Sequence, residues 1–115
     1  MLMENCIFCR IVEKEIPATI VYEDDFVIAF RDLNPQAPEH ILVIPRKHVP
    51  RIETLDPEDA LLMGKVIVAA KRIAEGLGMK HGYRLVFNNG PDAGQEVEHV
   101  HLHLMGGRKF SWPAG

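Results

Sequence analysis

Three histidines alternate with aliphatic residues near the end of the chain: His99, His101 and His103, interleaved with Val100, Leu102 and Leu104. On an extended strand, residues two apart share a face, so the three imidazoles line one side at intervals of roughly 6.5–7 Å. The aliphatic residues then face a core. A row of imidazoles on an exposed face adds nothing to folding, and a solvent face merely tolerates histidine. Half of the chain's six histidines nevertheless fall within five residues, which points to chemistry. Two chemistries suit such a row. Neutral imidazoles bind metals, and an imidazole nitrogen can attack an electrophile while a neighbour stabilises the developing charge. The preceding segment favours the second. Asn88, Asn89, Gly90, Gly94 and Gln95 offer amide donors and close backbone approach, as a phosphate group requires. A phosphate beside a histidine row implies attack at phosphorus.

A second reactive pair, Cys6-Ile7-Phe8-Cys9, lies near the N-terminus. Taken alone, this C-x-x-C is a redox pair, half of a zinc site or two small buried residues. The βαβ setting of a thioredoxin-like pair is absent.

The elements that position these residues can be read from the same sequence. Cys6 to Lys14 has helical spacing and stops before Ile16-Pro17. Thr19 to Tyr22 and Phe26 to Arg31 are β-rich runs around Glu23-Asp24-Asp25, a hairpin signal. Leu33 to Glu39, with Pro35 and Pro38, reads as a loop. Ile41 to Pro45 is continuously apolar, as expected of a central strand covered on both faces. One long helix follows, with Asp56 as N-cap, Pro57 at its first position and an end at Gly76 and Gly78. Ala60, Met63, Ile67, Ala70, Ala74 and Leu77 form an apolar stripe expected to meet the core. Leu62, Val66, Ala69 and Ile73 form a second stripe, available to another subunit. Tyr83 to Asn88 and Val97 to Met105 read as strands, and Gly106 to Gly115 as an irregular tail. The expectation is an α+β fold with about five strands in a mostly antiparallel sheet, one long helix and one short helix, forming a single domain over residues 1–115.

Composition narrows the function classes. With 47% hydrophobic and 25% charged residues among 115, the chain is neither disordered nor collagen-like. A net charge of −3 lacks the footprint of a dedicated nucleic-acid binder. No apolar run approaches a membrane span, and the N-terminal residues lack the pattern of a secretory signal. Two cysteines do not make a disulfide framework. These features predict a cytoplasmic protein with neither membrane nor nucleic acid as partner.

The run His99-Val100-His101-Leu102-His103-Leu104-Met105-Gly106-Gly107 resembles the histidine triad (HIT) pattern. The likeness extends to Lys14-Glu15-Ile16-Pro17-Ala18, Tyr22-Glu23-Asp24-Asp25, Asp32-Leu33-Asn34-Pro35-Gln36-Ala37-Pro38, Leu42-Val43-Ile44-Pro45-Arg46-Lys47-His48 and Trp112-Pro113-Ala114-Gly115. Together these are similar to the Hint branch of histidine triad nucleotide-binding proteins, and they span nearly the whole chain.

The resemblance implies a HIT-like fold and a hydrolase of nucleoside phosphoramidates or related nucleotide conjugates. His101 is then the nucleophile. A nucleotidyl-histidine forms on it and water releases a nucleoside monophosphate, expected to be AMP. By the same resemblance His103 bonds the phosphate or leaving group. Asn88, Gly94 and Gln95 hold the phosphate, Asp32 takes the ribose hydroxyls and His40 supports the site. Phe8, Ile11, Phe30 and Leu33 line the base pocket. Glu96 departs from the pattern, because many Hint-branch members carry serine there. An ionised carboxylate would repel a phosphate, whereas a protonated one could act as a general acid. Some bacterial relatives bind zinc through a matching C-x-x-C pair and two histidines, which places structural zinc at Cys6, Cys9, His48 and His99, with no organic cofactor. A homodimer is expected, with the tail around Trp112 directed toward the partner's site. The competing readings are a nucleotide-binding regulatory protein with little turnover and a metallohydrolase using the three triad histidines as ligands.

Overall fold

In the computed structural model, which describes residues 3–115, five strands form one antiparallel sheet in the order β1-β2-β3-β5-β4. In chain order the elements are α1 (Ile7–Val12), β1 (Ile20–Glu23), β2 (Val27–Arg31), β3 (Glu39–Pro45), α2 (Ala60–Gly76), β4 (Arg84–Phe87) and β5 (Leu102–Gly106). The α+β architecture is therefore the one expected.

Local chemistry explains the element ends. Cys6 caps α1, its Sγ accepting the Cys9 N–H at 3.4 Å. In the β1–β2 turn, Asp24 Oδ1 accepts the N–H groups of Phe26 and Val27, each at 2.8 Å. The long helix begins later than its sequence signals indicate. Pro57–Asp59 is a single 3₁₀ turn capped by Asp56, and α-helical geometry starts at Ala60.

The sheet has two dry faces. Val27, Ala29, Ile41, Val43, Leu102 and Leu104 pack against α2. Ile28, Phe30, Leu42 and Ile44 pack against α1 through Phe8, Cys9, Ile11 and Val12. Covering on both sides explains the unbroken apolar run of β3.

Three expectations need correction. First, the stripe of α2 that meets the sheet is Val66, Ala69, Ala70, Ile73 and Ala74, whereas Ile67 and Leu77 are exposed. The apolar arc of α2 is wider than one contact face, and its alanine-rich sector is the part that lets helix and sheet approach closely. Second, β5 starts at Leu102 rather than Val97. Its ladder with β3 runs from Gly106 opposite Glu39 to Leu102 opposite Val43. Continuing it would require Pro45, which has no N–H to donate. The chain instead turns, and the Val100 N–H donates to the carbonyl of Val49 at 2.7 Å. Third, the histidine row is not on an exposed face. His99 and His101 are buried and His103 is half-buried, because α1 lies over that side of the sheet.

Candidate active site and adjoining cysteine–histidine cluster

A cavity of about 430 Å³ opens between α1, the ends of β2 and β3, and the loop preceding β5. Phe8, Ile11 and Phe30 form an apolar wall; Asp32, His40, Asn88, His101 and His103 supply the polar side. The backbone beside Gly94 and the exposed side chains of Leu33 and Glu96 stand at the mouth.

Hydrogen bonds assign the ring tautomers. His101 Nδ1–H donates to the carbonyl of His99 at 2.7 Å. In its neutral form, the lone pair is therefore on Nε2, the nitrogen a nucleophile needs. The Gln36 N–H donates to His40 Nδ1 at 3.0 Å, so His40 carries its proton on Nε2. That nitrogen lies 2.9 Å from His103 Nδ1 and 3.4 Å from Asp32 Oδ2. His103 Nδ1 is thus an acceptor, and its proton is on Nε2. The Gln36 backbone amide thereby sets the donor end of the His103 imidazole through one intervening ring. Burial pushes His103 down to about 4, reinforced by His101 and His40 and opposed by Asp32. Burial also lowers His40, again against Asp32. Both rings are neutral at pH 7, as this relay requires.

The loop before β5 is held by its own groups. Gln95 does not line the cavity. Its Oε1 accepts the Gly90 N–H at 2.8 Å, and its Nε2 donates to the carbonyls of Pro50 and Val97. The N–H of Gln95 donates to Gly90 and that of Gly94 to Pro91, so both amides are used within the turn. Gly94 has a φ of 82°, a conformation that favours glycine. Asp32 Oδ1 accepts the Asn34 N–H at 2.8 Å, which leaves acceptor capacity facing the cavity.

Behind His101 lies a second cluster. Ligand atoms of Cys6, Cys9, His48 and His99 all lie within 4.8 Å of one another. Cys6 Sγ is 3.4 Å and Cys9 Sγ 3.6 Å from His99 Nδ1, and Cys9 Sγ is 3.2 Å from His48 Nδ1. A tetrahedral zinc bound by sulfur and nitrogen separates neighbouring ligands by about 3.6 Å, from the usual bond lengths. These three sulfur–nitrogen distances lie close to that separation, and the cluster as a whole is compact enough to hold one ion. His99 Nε2–H donates to the carbonyl of Pro45 at 2.8 Å, which leaves Nδ1 free toward the sulfurs and gives the outer-shell partner a metal-bound imidazole needs. Burial lowers His99 to about 4, lowers His48 and raises the Cys9 thiol. Lys47, beside His48, is anchored to the buried Asp59 by a 2.8 Å ion pair.

Asp32, His40 and His103 also bring ligand atoms within 4.8 Å of one another. Their hydrogen bonding does not fit a metal. Because His40 Nδ1 already accepts a backbone N–H, a cation on Nε2 would require removing the ring's only proton. These residues form a proton-ordered relay.

The structure thus gathers Phe8, Ile11, Phe30, Asp32, Leu33, His40, Asn88, Gly94, Glu96, His101 and His103 around one cavity, and Cys6, Cys9, His48 and His99 behind it. Sequence reading missed the Gln36 amide, because a backbone donor leaves no mark on residue type. It also missed Asp59, whose buried carboxylate takes its ion pair from Lys47, twelve residues earlier in the chain.

The HIT domain model matches residues 13–110. The chain is 52% identical over 114 residues to an uncharacterised HIT-like protein of Synechocystis, covering 99% of this chain and 100% of that one. It is similar to the crystal structure of a HIT family hydrolase from Legionella pneumophila, with 50% identity, a TM-score of 0.94 and coverage of 96% of this chain and 100% of that one. It is also similar to a histidine triad nucleotide-binding protein from Candida albicans, with 31% identity, a TM-score of 0.81 and coverage of 96% and 85%. With a family match over most of its length and a relative aligned along the whole of both chains, this protein belongs to the HIT family.

Proposed function

We propose that this protein is a Hint-like hydrolase of nucleotide conjugates, with nucleoside phosphoramidates as its substrate class and His101 as its nucleophile. The observation that carries this reading is the His101 tautomer: Nδ1–H is fixed on the His99 carbonyl, and the Nε2 lone pair belongs to a ring lining the cavity. The cavity is large enough for a nucleoside monophosphate. The wall of Phe8, Ile11 and Phe30, with Leu33 at the mouth, suits a purine, and Asp32 suits the ribose hydroxyls. Asn88 offers an amide to the phosphate, while Gly94 permits close approach and Gln95 holds the loop.

In the first step His101 Nε2 attacks the α-phosphorus. The phosphorus–nitrogen bond breaks, and its electron pair leaves on nitrogen, which takes a proton from water at the open mouth beside Glu96. The nucleotidyl-imidazole is cationic, and the His99 carbonyl stabilises it through the retained Nδ1–H bond. His103 Nε2–H donates to a phosphoryl oxygen. Water then attacks phosphorus, the bond to Nε2 breaks, and AMP leaves as the water's surplus proton passes to solvent. Two displacements replace one harder one.

Zinc at Cys6, Cys9, His48 and His99 would supply a structural cross-link rather than a Lewis acid. We place the protein in the cytoplasm, where its free thiols stay available as ligands. A homodimer is supported by exposed Leu61, Ile67 and Val68 on α2 and by exposed Tyr83 and Leu85 at the β4 edge. A sedimentation mass of one 13.0 kDa chain at micromolar concentration would reject it.

The test is turnover of adenosine 5′-phosphoramidate at neutral pH by wild type and His101→Ala, each with a chelator control. Loss of about 10³-fold or more in the variant, with wild-type turnover surviving chelation, supports the proposal. A folded wild type that binds AMP without turnover would make it a binding protein instead.

A further inference from the structure

The cysteine–histidine cluster and the cavity share two parts, and neither can move without disturbing the other. The first is α1. Cys6 and Cys9 give its sulfurs to the cluster, while Phe8 and Ile11 form the cavity wall. The Phe8 ring meets His101 edge-on at 5.1 Å and Phe30 at 5.4 Å between centroids. The second is His99. Its side chain belongs to the cluster, and its carbonyl fixes the His101 tautomer. Phe8 also packs edge-on against the His99 ring at 5.9 Å.

A helix of six residues does not hold itself together in water. Its position depends on burial of Phe8, Cys9, Ile11 and Val12 and on whatever the two sulfurs bind. A metal ion joining those sulfurs to His48 and His99 fixes α1 against the segment after β3 and the segment leading into β5. A nucleotide pressing on Phe8 and Ile11 fixes the same helix from the other side.

We propose that metal binding at Cys6, Cys9, His48 and His99 and nucleotide binding in the cavity are coupled, each strengthening the other through α1 and His99. This inference rests on reading the cavity as a nucleotide site and the cluster as a metal site. Coupling is reciprocal, so zinc and AMP raise each other's affinity by one and the same factor, about tenfold on the usual scale of linked sites. The cluster then acts as a regulatory input: a cell poor in zinc holds a protein with a loosened nucleotide wall and a less constrained nucleophile.

The experiment measures AMP affinity by calorimetry on zinc-loaded and chelator-stripped protein. It then measures zinc affinity against a chromophoric chelator with and without saturating AMP. The expected result is about a tenfold gain in each direction with equal ratios, together with slower amide exchange over residues 7–12 in the loaded form. Cys9→Ala should bind AMP like the stripped protein and ignore added zinc. Equal AMP affinity in loaded and stripped protein would overturn the coupling. So would equal zinc affinity with and without AMP, a comparison made on wild type alone should the variant fail to fold. Absence of AMP binding in both forms would overturn the nucleotide reading beneath it, and absence of zinc binding the metal reading.

Discussion

His40 Nε2 and His103 Nδ1 face each other at 2.9 Å, and the proton between them belongs to His40 because the Gln36 amide occupies its other nitrogen. His40 is thus a positioning residue that keeps the His103 proton directed away from itself. His40→Leu should lower kcat/KM for a phosphoramidate by about 100-fold, whereas His40→Gln, whose terminal amide can still donate to His103, should stay within about tenfold. Nitrogen chemical shifts of His103 provide the separate readout: one tautomer in wild type and the Gln variant, a mixture in the Leu variant. Equal loss in both variants would reduce His40 to a packing role.

Acidification should destabilise the protein in a defined window. His103 is held at about 4 against an ordinary value of 6.5, with His101, His40 and Asp32 as its charged or titratable neighbours. Between these values the unfolded chain binds more protons than the folded one, so stability rises with pH. The contribution is complete above pH 6.5 and is lost as pH falls toward 4. Thermal unfolding from pH 7.5 to 4 should show Tm level at first and then declining. His103→Asn should flatten the decline; an unchanged slope would assign it to other groups.

Glu96 places a carboxylate at the cavity mouth without an ion-pair partner among the described residues. Replacing it by Gln should tighten AMP binding about threefold at low ionic strength, and salt should erase the difference. Weaker binding by Glu96→Gln would instead mean that the carboxylate contacts the ligand favourably.

Asp59 accepts both the Lys47 ammonium at 2.8 Å and the Asp56 N–H at 3.0 Å. It fastens the start of α2 to the segment carrying His48. Asp59→Ala should lower Tm by roughly 5 °C and speed zinc loss to a chelator. A lower Tm with unchanged zinc release would confine Asp59 to the helix start.

Much of the architecture was legible because pattern and burial coincide. The apolar run of β3 and the alternation of Leu102 and Leu104 each report a face covered by a helix. The errors arise where two parts of the chain meet. The five-residue delay in β5 follows from Pro45 on its neighbour. The burial of His99 and His101 follows from α1, formed more than 85 residues earlier. The cavity residues came largely from family resemblance, since Phe8, Ile11 and Phe30 have the composition of ordinary core. The use of Gln95 as a brace and Gln36 as a tautomer lock depends on hydrogen bonds that residue type does not encode.

The strand order has a consequence for how the molecule is made. β5 is the last strand in the chain but lies between β3 and β4, with ladders on both sides. During synthesis, β1 to β3 can form a meander early, while β4 has no neighbour to pair with until the final strand inserts. The last strand therefore closes the sheet and brings His101, the residue just before it, to the cavity in one event. A chain cut short before Leu102 would lose the middle of its sheet rather than an edge, and such a fragment would expose two unsatisfied strand edges and be prone to aggregation.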